Sequence, residues 1–187
     1  MLICVLDYGK ILPNDSIIIP RIERITERME IKIVFDEFDE AFEQNALVDC
    51  LNSTQDYFHF SVISFPLGMR GNTINVKAFY NEIEKYNFSD PLICLTMRRL
   101  NDNWFSHDSK GLSIISGYGY EVLGTEFSIR SFFVYQIAQS LIPIALGIDE
   151  YSLNDLCHEE TRGCINDFCK NKTEIRHGIY RRSNFGQ

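Results

Sequence analysis

The chain has 187 residues, with 18 Lys and Arg against 26 Asp and Glu, a net charge of −8 and a hydrophobic content of 45%. That size and apolar content suit one domain with its own core and a short appendage, and the acidic balance argues against nucleic acid as a partner. No run of about 18 apolar residues goes uninterrupted by charge or polarity, so no membrane span is expected.

Met1–Leu6 is a continuous apolar stretch that reads as a buried strand; Asp7 and the lack of a basic lead-in distinguish it from a signal peptide. Pro13 and Asn14 make a turn, and Ile17–Ile19 is a short extended piece ending at Pro20. Arg21–Arg28 sets charges against Ile22, Ile25 and Met29 at helical spacing. Glu30–Phe35 alternates polar and apolar residues, the period of a strand. Asp39–Leu51 is expected to be a helix with Phe42, Ala46, Leu47 and Cys50 inward. Tyr57–Phe65, rich in aromatic and β-branched residues, is a strand, with His59 structural within it. A Gly-rich loop (66–75) lacks the lysine and hydroxyl of a phosphate-binding loop. Val76–Tyr86 is helical, and Asp90–Pro91 is a turn.

Pro91–Met97 and Gly111–Gly117 are strands flanking a polar loop, NDNWFSHDSKG, which holds Trp104 and a candidate proton-transfer pair, His107 and Asp108. Cys94 and His107 would form a nucleophilic pair only if folding brought them together. Tyr118–Tyr120 reads as a hairpin tip. A long apolar helix follows from about Phe127 to Gly147, the chain turns polar through Asp149–Asp155, and Thr173–Tyr180 is a last short helix. Strands alternating with helices predict an α/β fold, a mixed sheet with packed helices. One boundary is expected, between an α/β domain over 1–150 and a tail over 151–187.

Two stretches carry candidate chemistry. In the long helix, Tyr135, Gln136 and Gln139 stand at the spacing of H-E-x-x-H, in which two histidines four apart bind zinc and the glutamate activates its water. Tyrosine and glutamine are poor zinc ligands, and glutamine cannot take the water's proton. The same spacing also fits a buried amphipathic helix with no chemistry. In the tail, Cys157, His158, Cys164, Cys169 and His177 lie close together. A structural zinc held by Cys164 and Cys169 with His158, Cys157 or His177 would staple a tail too small for its own core. The alternative is a set of buried thiols on a helix over 163–170. His158, Glu159, Glu160 and Arg162 are a second candidate centre, an acid–base pair beside an anion-binding arginine, with or without a metal; pairing of a glutamate with Arg162 is the structural alternative. Five basic residues between Lys170 and Arg182 face either solvent or an acidic partner.

From Pro91 to Cys169 the chain resembles the archaemetzincin zinc peptidases in degenerate form. The resemblance rests on the strand ending in Thr96 with its following loop, on Gly111–Gly117 in place of the family's edge strand, on the Tyr135–Gln139 helix and on the Cys164/Cys169 pair. It implies a zincin-like, metzincin-like fold. It also puts Ala145, which binds no metal, where the third ligand belongs, with Pro143 near the expected glycine, and no second cysteine pair near 184–187. What it implies is a catalytically inactive metallopeptidase-like protein, acting as a binding, scaffold or regulatory module with a protein partner. A hydrolase centred on His158, Glu159, Glu160 and Arg162 is the competing reading. Six cysteines without a secretion signal fit a reducing, cytoplasmic setting, with Cys4, Cys50 and Cys94 as small core residues. Oligomerisation is compatible with the sequence.

Overall fold

A computed structural model describes residues 28–36, 44–53, 58–65, 70–124, 128–146 and 171–176. These fall in two compact units, one over Glu27–Gly119 and one that includes Tyr120–Gln187. In the first unit the elements are β1 (Met29–Asp36), α1 (Gln44–Ser53), β2 (Phe58–Val62), β3 (Thr73–Ile74), α2 (Val76–Ile83), β4 (Leu92–Thr96), β5 (Arg99–Leu100), β6 (Ser106–Ser109) and β7 (Leu112–Ser116). The second holds a 3₁₀ turn (Tyr120–Leu123), the long helix α3 (Ile129–Leu146) and a further 3₁₀ turn (Lys172–Glu174). Among the described residues, no helix is long and apolar enough to cross a membrane.

The expected mixed sheet is present. Five strands lie in the order β2-β1-β4-β7-β6, all parallel except β6, which runs antiparallel to β7. β3 and β5 make a separate two-stranded parallel pair. Because side chains alternate across a strand, register partners share a face. One face carries the row Val34, Cys94, Ile114 and His107. Val34, Cys94 and Ile114 are buried with Leu92 of β4 and Phe79 and Ile83 of α2 in one core cluster. The opposite face carries Ile31, Ile33, Ile93, Leu95 and Ile115, each fully buried, every one contributing about 1.5–3 kcal/mol.

Local signals explain the helix and turn ends. Asn75 caps α2 by accepting the amide of Ala78 at 3.0 Å, and Asn87, at φ 46°, ends the 3₁₀ turn that follows (Glu84–Tyr86). α1 packs against β2 and buries Leu47, Val48 and Leu51. This corrects the expected face: Ala46 and Cys50 are only half-buried, because the helix is turned by about one residue toward Val48. Cys94 is the core thiol that was expected, whereas Cys4 lies outside the described residues.

The polar loop of the sequence is not all loop. Ser106–Ser109 forms β6, folded onto β7 through a two-residue turn in which Lys110 (φ 49°) and Gly111 (φ 81°) are both left-handed. That is the backbone of a tight hairpin turn. β7, expected at the edge, is therefore internal, between β4 and β6, and β6 is the edge. Tyr118–Tyr120 is likewise no hairpin tip; a turn there leads into the 3₁₀ turn over Tyr120–Leu123.

The carboxyl ends of β1 and β4 are joined by charge. The Arg98 Nε and Nη2 atoms donate to Asp36 Oδ2 at 2.9 and 2.6 Å, its Nη1 donates to the Gly71 carbonyl at 3.1 Å, and Thr96 Oγ1 donates to the same Asp36 oxygen at 2.9 Å. The Arg98 and Asp36 side chains are only 5% and 10% exposed. A pair so buried gains little over apolar packing, but either charge alone is costly to leave behind. Arg98→Ala is accordingly expected to lose about 3–5 kcal/mol in urea unfolding. Removing both charges, with Asp36→Asn and Arg98→Met, is expected to recover more than half of that loss in the same measurement.

Candidate functional site

α3 begins where Ser128 Oγ accepts the amide of Ser131 at 3.1 Å and the Ser128 carbonyl accepts that of Phe132 at 3.1 Å. It is not amphipathic. Phe132, Phe133, Tyr135, Gln136, Ile137, Ala138, Ser140 and Leu141 are all buried, and these positions go round the whole circumference. On one turn the helix brings Tyr135, Gln136 and Gln139 together, and Gln139 Nε2 donates to the Tyr135 hydroxyl at 3.4 Å. Both side chains are neutral amphoteric or amide groups, and the contact is long. Gln136 is 1% exposed and Ser140 is fully buried, and among the described residues Gln136 Nε2 and Ser140 Oγ have no hydrogen-bond partner. Their i,i+4 spacing sets them on one face.

Ala145 is not brought to this turn. The helix continues through Pro143 to Leu146, and ten residues of helix carry Ala145 about 15 Å along the axis from Tyr135. Pro143 has no N–H to offer the carbonyl four residues back, that of Gln139. The residues present do not suit a zinc ion: a phenol and two carboxamides replace imidazoles and carboxylate.

Cys157, His158, Glu159, Glu160, Arg162, Cys164, Cys169 and His177 lie outside the described residues. Among the described residues, no three His, Cys, Asp or Glu side chains gather as a metal-binding group.

His107 and Asp108 do not form the expected pair. As neighbours in β6 they point to opposite faces. Asp108 instead accepts the hydroxyl of Ser113, its register partner, in a short hydrogen bond. The His107 ring meets Asp102: Nε2 lies 2.5 Å from Oδ2. Although that nitrogen has no hydrogen bond of good angle, the contact at this distance is an ion pair whenever the ring is protonated. Asp102 Oδ1 accepts the Trp104 amide at 3.0 Å. Cys94 and His107 are both opposite Ile114, hence two strands, or about 10 Å, apart. Burial, and next the charge of Asp36, push the Cys94 thiol well above its ordinary range, Arg98 opposing. No nucleophilic pair results.

Sequence reading missed a polar cluster on the face of β1 and β2. Lys32 Nζ donates to Glu30 Oε1 at 2.9 Å and to Ser61 Oγ at 3.2 Å, and Ser61 Oγ donates to Glu30 Oε1 at 2.6 Å. His59 Nε2 lies 4.0 Å from Glu30 Oε2. The strand alternation of Glu30 and Lys32 was the available signal; Ser61 and His59 face them only through register. The lysine hydrogen bond, then the serine one, lowers the Glu30 carboxyl below its ordinary range. A carboxylate so held is a poor base for Ser61, so the cluster is read as a cross-strand ladder.

Neither a protein-family model, nor a curated protein, nor a solved structure matches the chain.

Two expectations follow. Glu30 is bound as the anion, so its contribution is present above the ordinary glutamate range and fades as pH falls through it. Glu30→Gln should therefore cost up to about 1 kcal/mol at pH 7, the side chain being about one-third exposed, and almost nothing near pH 3, read by urea titration at both pH values. Gln136→Met, which removes a buried amide nitrogen with no partner among the described residues, should raise stability by about 1 kcal/mol.

Proposed function

We propose that this chain is an archaemetzincin-like scaffold without peptidase chemistry, which binds an extended segment of a protein partner along its sheet edge. The observation that carries the reading is the Tyr135–Gln139 turn. It keeps the motif's spacing, yet its groups are neutral and Gln139 reaches Tyr135 rather than leaving two ligands free for a cation. The order of elements supports it, with one antiparallel edge strand preceding the long helix in sequence.

The two edges of the sheet differ. At β2 the Asn52 carboxamide acts like a neighbouring strand: its Oδ1 accepts the Phe60 amide at 2.8 Å and its Nδ2 donates to the Phe60 carbonyl at 3.0 Å. Arg28 Nε donates to the Phe58 carbonyl at 2.9 Å. Those groups cannot also pair with an incoming peptide. At β6 the Ser116 amide donates to the Phe105 carbonyl at 2.6 Å, so Phe105 faces β7, and the pleat turns the Ser106 amide and carbonyl outward. Edge groups of this kind accept an added strand.

The tail zinc, with Cys164, Cys169 and His158, Cys157 or His177 as ligands, belongs to the same proposal.

Incubation of the purified full chain with zinc and unstructured peptides is expected to yield bound but uncut peptide. Ser106→Pro, tolerable at the first residue of an edge strand, should abolish binding while leaving the circular dichroism spectrum unchanged. Peptide cleavage, or a stoichiometric zinc lost on Gln139→Ala, would overturn the reading. Zinc lost only on Cys164→Ser would place the metal in the tail.

A further inference from the structure

We infer that the β6 edge selects extended segments carrying a basic side chain, which it seats between the Asp102 carboxylate and the exposed rings of Trp104 and Tyr118. This rests on the peptide-binding reading above and names the chemistry of the partner.

The argument starts from exposure. Trp104 is the chain's one tryptophan. Tryptophan is ordinarily among the most buried side chains on average, yet this one is 39% exposed, and Tyr118 is 48% exposed. The two lie at the same end of the edge hairpin. The hydrogen bond from the Ser116 amide to the Phe105 carbonyl closes the ladder there, with Trp104 one residue before Phe105 on one side and Tyr118 two residues after Ser116 on the other. The Tyr118 backbone is fixed in turn, its amide donating to Ser116 Oγ at 3.1 Å, while that hydroxyl donates to the Arg98 carbonyl at 2.7 Å. The Trp104 backbone is held by the hydrogen bond its amide donates to Asp102 Oδ1. Two aromatic rings on held backbone, exposed at the end of the edge hairpin, offer rigid contact surface with an apolar face.

Charge selects the guest. Asp102 lies two residues from Trp104 and has 35% of its side chain exposed. Its contacts, the Trp104 amide and the His107 ring, use two of the four or so lone-pair positions of a carboxylate, so acceptor capacity remains. Asp108 points to the other face and is held by Ser113, so Asp102 is the acid this site offers; His107 shares the strand and Lys110 lies beyond it, at the hairpin turn. The chain as a whole carries a charge of −8, which steers cations toward it. A lysine or arginine can place its stem along an indole or phenol ring, where the ring face attracts the cation, and its head against Asp102. An acidic side chain in the same position meets like charge.

The test uses the full-length protein and three hexapeptides of alternating threonine and valine, identical but for a central lysine, glutamate or methionine. Trp104 emission reports occupancy without a label, and calorimetry serves the variants. The lysine peptide is expected to bind about tenfold more tightly than the glutamate peptide at low salt, with the gap closing as salt rises. Asp102→Asn should bring that ratio to within about threefold while leaving the methionine peptide's affinity unchanged, and Trp104→Phe should weaken the lysine peptide about two- to fivefold. Equal binding of all three peptides, abolished by Ser106→Pro, overturns the selectivity and leaves strand addition standing. Preference for the glutamate peptide overturns it in the same way. Binding of none of the three overturns both.

Discussion

The constraint on which the sheet depends is the burial of two opposite charges, Arg98 and Asp36, at the carboxyl ends of neighbouring strands 62 residues apart in sequence. Desolvating either alone costs several kcal/mol, so each holds the other in place. With Thr96 and the Gly71 carbonyl they tie together the end of β1, the end of β4 and the start of the segment that becomes β3. The chain past β4 is directed by the same group: Thr96 Oγ1 accepts the Arg98 amide at 3.0 Å, and the Arg98 carbonyl accepts Ser116 Oγ from β7. Three adjacent strand ends thus converge on one arginine.

That position has a functional consequence. From β1 the chain passes to β2 on one side and later returns to β4 on the other, so the strand order reverses between β1 and β4. In open α/β sheets such a reversal, at the carboxyl ends, is where ligands usually bind. Here the guanidinium of Arg98 and its acceptors occupy it. Cys94 lies near the same pair; burial first, and then the Asp36 charge, make its thiol hard to ionise, with Arg98 opposing. At the other end of the sheet Asn52 pairs with the β2 edge, and it is this difference between the two edges that the proposed recognition at β6 rests on.

How much of this was legible in the sequence depended on range. Glu30–Phe35 and Pro91–Met97 announce β1 and β4 by alternation and by apolar density, and the 127–147 stretch announces α3 by length. β6 was missed because four residues reading Ser-His-Asp-Ser have neither β-branched side chains nor alternation; they form a strand because the Lys110–Gly111 turn folds them back onto an apolar β7. The glycine after a polar residue, just ahead of Leu112, was the one local hint. The Asp36–Arg98 pair carried no local signal at all, since nothing in either neighbourhood names a partner so far away. Spacing alone set Tyr135, Gln136 and Gln139 on one turn, and length carried the helix past Pro143 to Ala145, but neither could show that Gln136 and Ser140 are buried within it.

The burial of α3 sharpens what its polar residues mean. At two positions as buried as these the helix could carry leucine for Gln136 and alanine for Ser140 with no loss of solubility, and with a gain from removing the Gln136 Nε2 and Ser140 Oγ groups, which have no partner among the described residues. Local rules are usually broken where something other than stability is being served. For Tyr135 and Gln139 the long contact between them offers a structural reason. For Gln136 it does not, and this is the residue at the glutamate's place in the motif. A carboxylate there, enclosed without a cation or a proton donor, would cost far more than the neutral amide. On the proposed archaemetzincin-like reading, glutamine at 136 keeps the shape of the motif's glutamate while avoiding that cost.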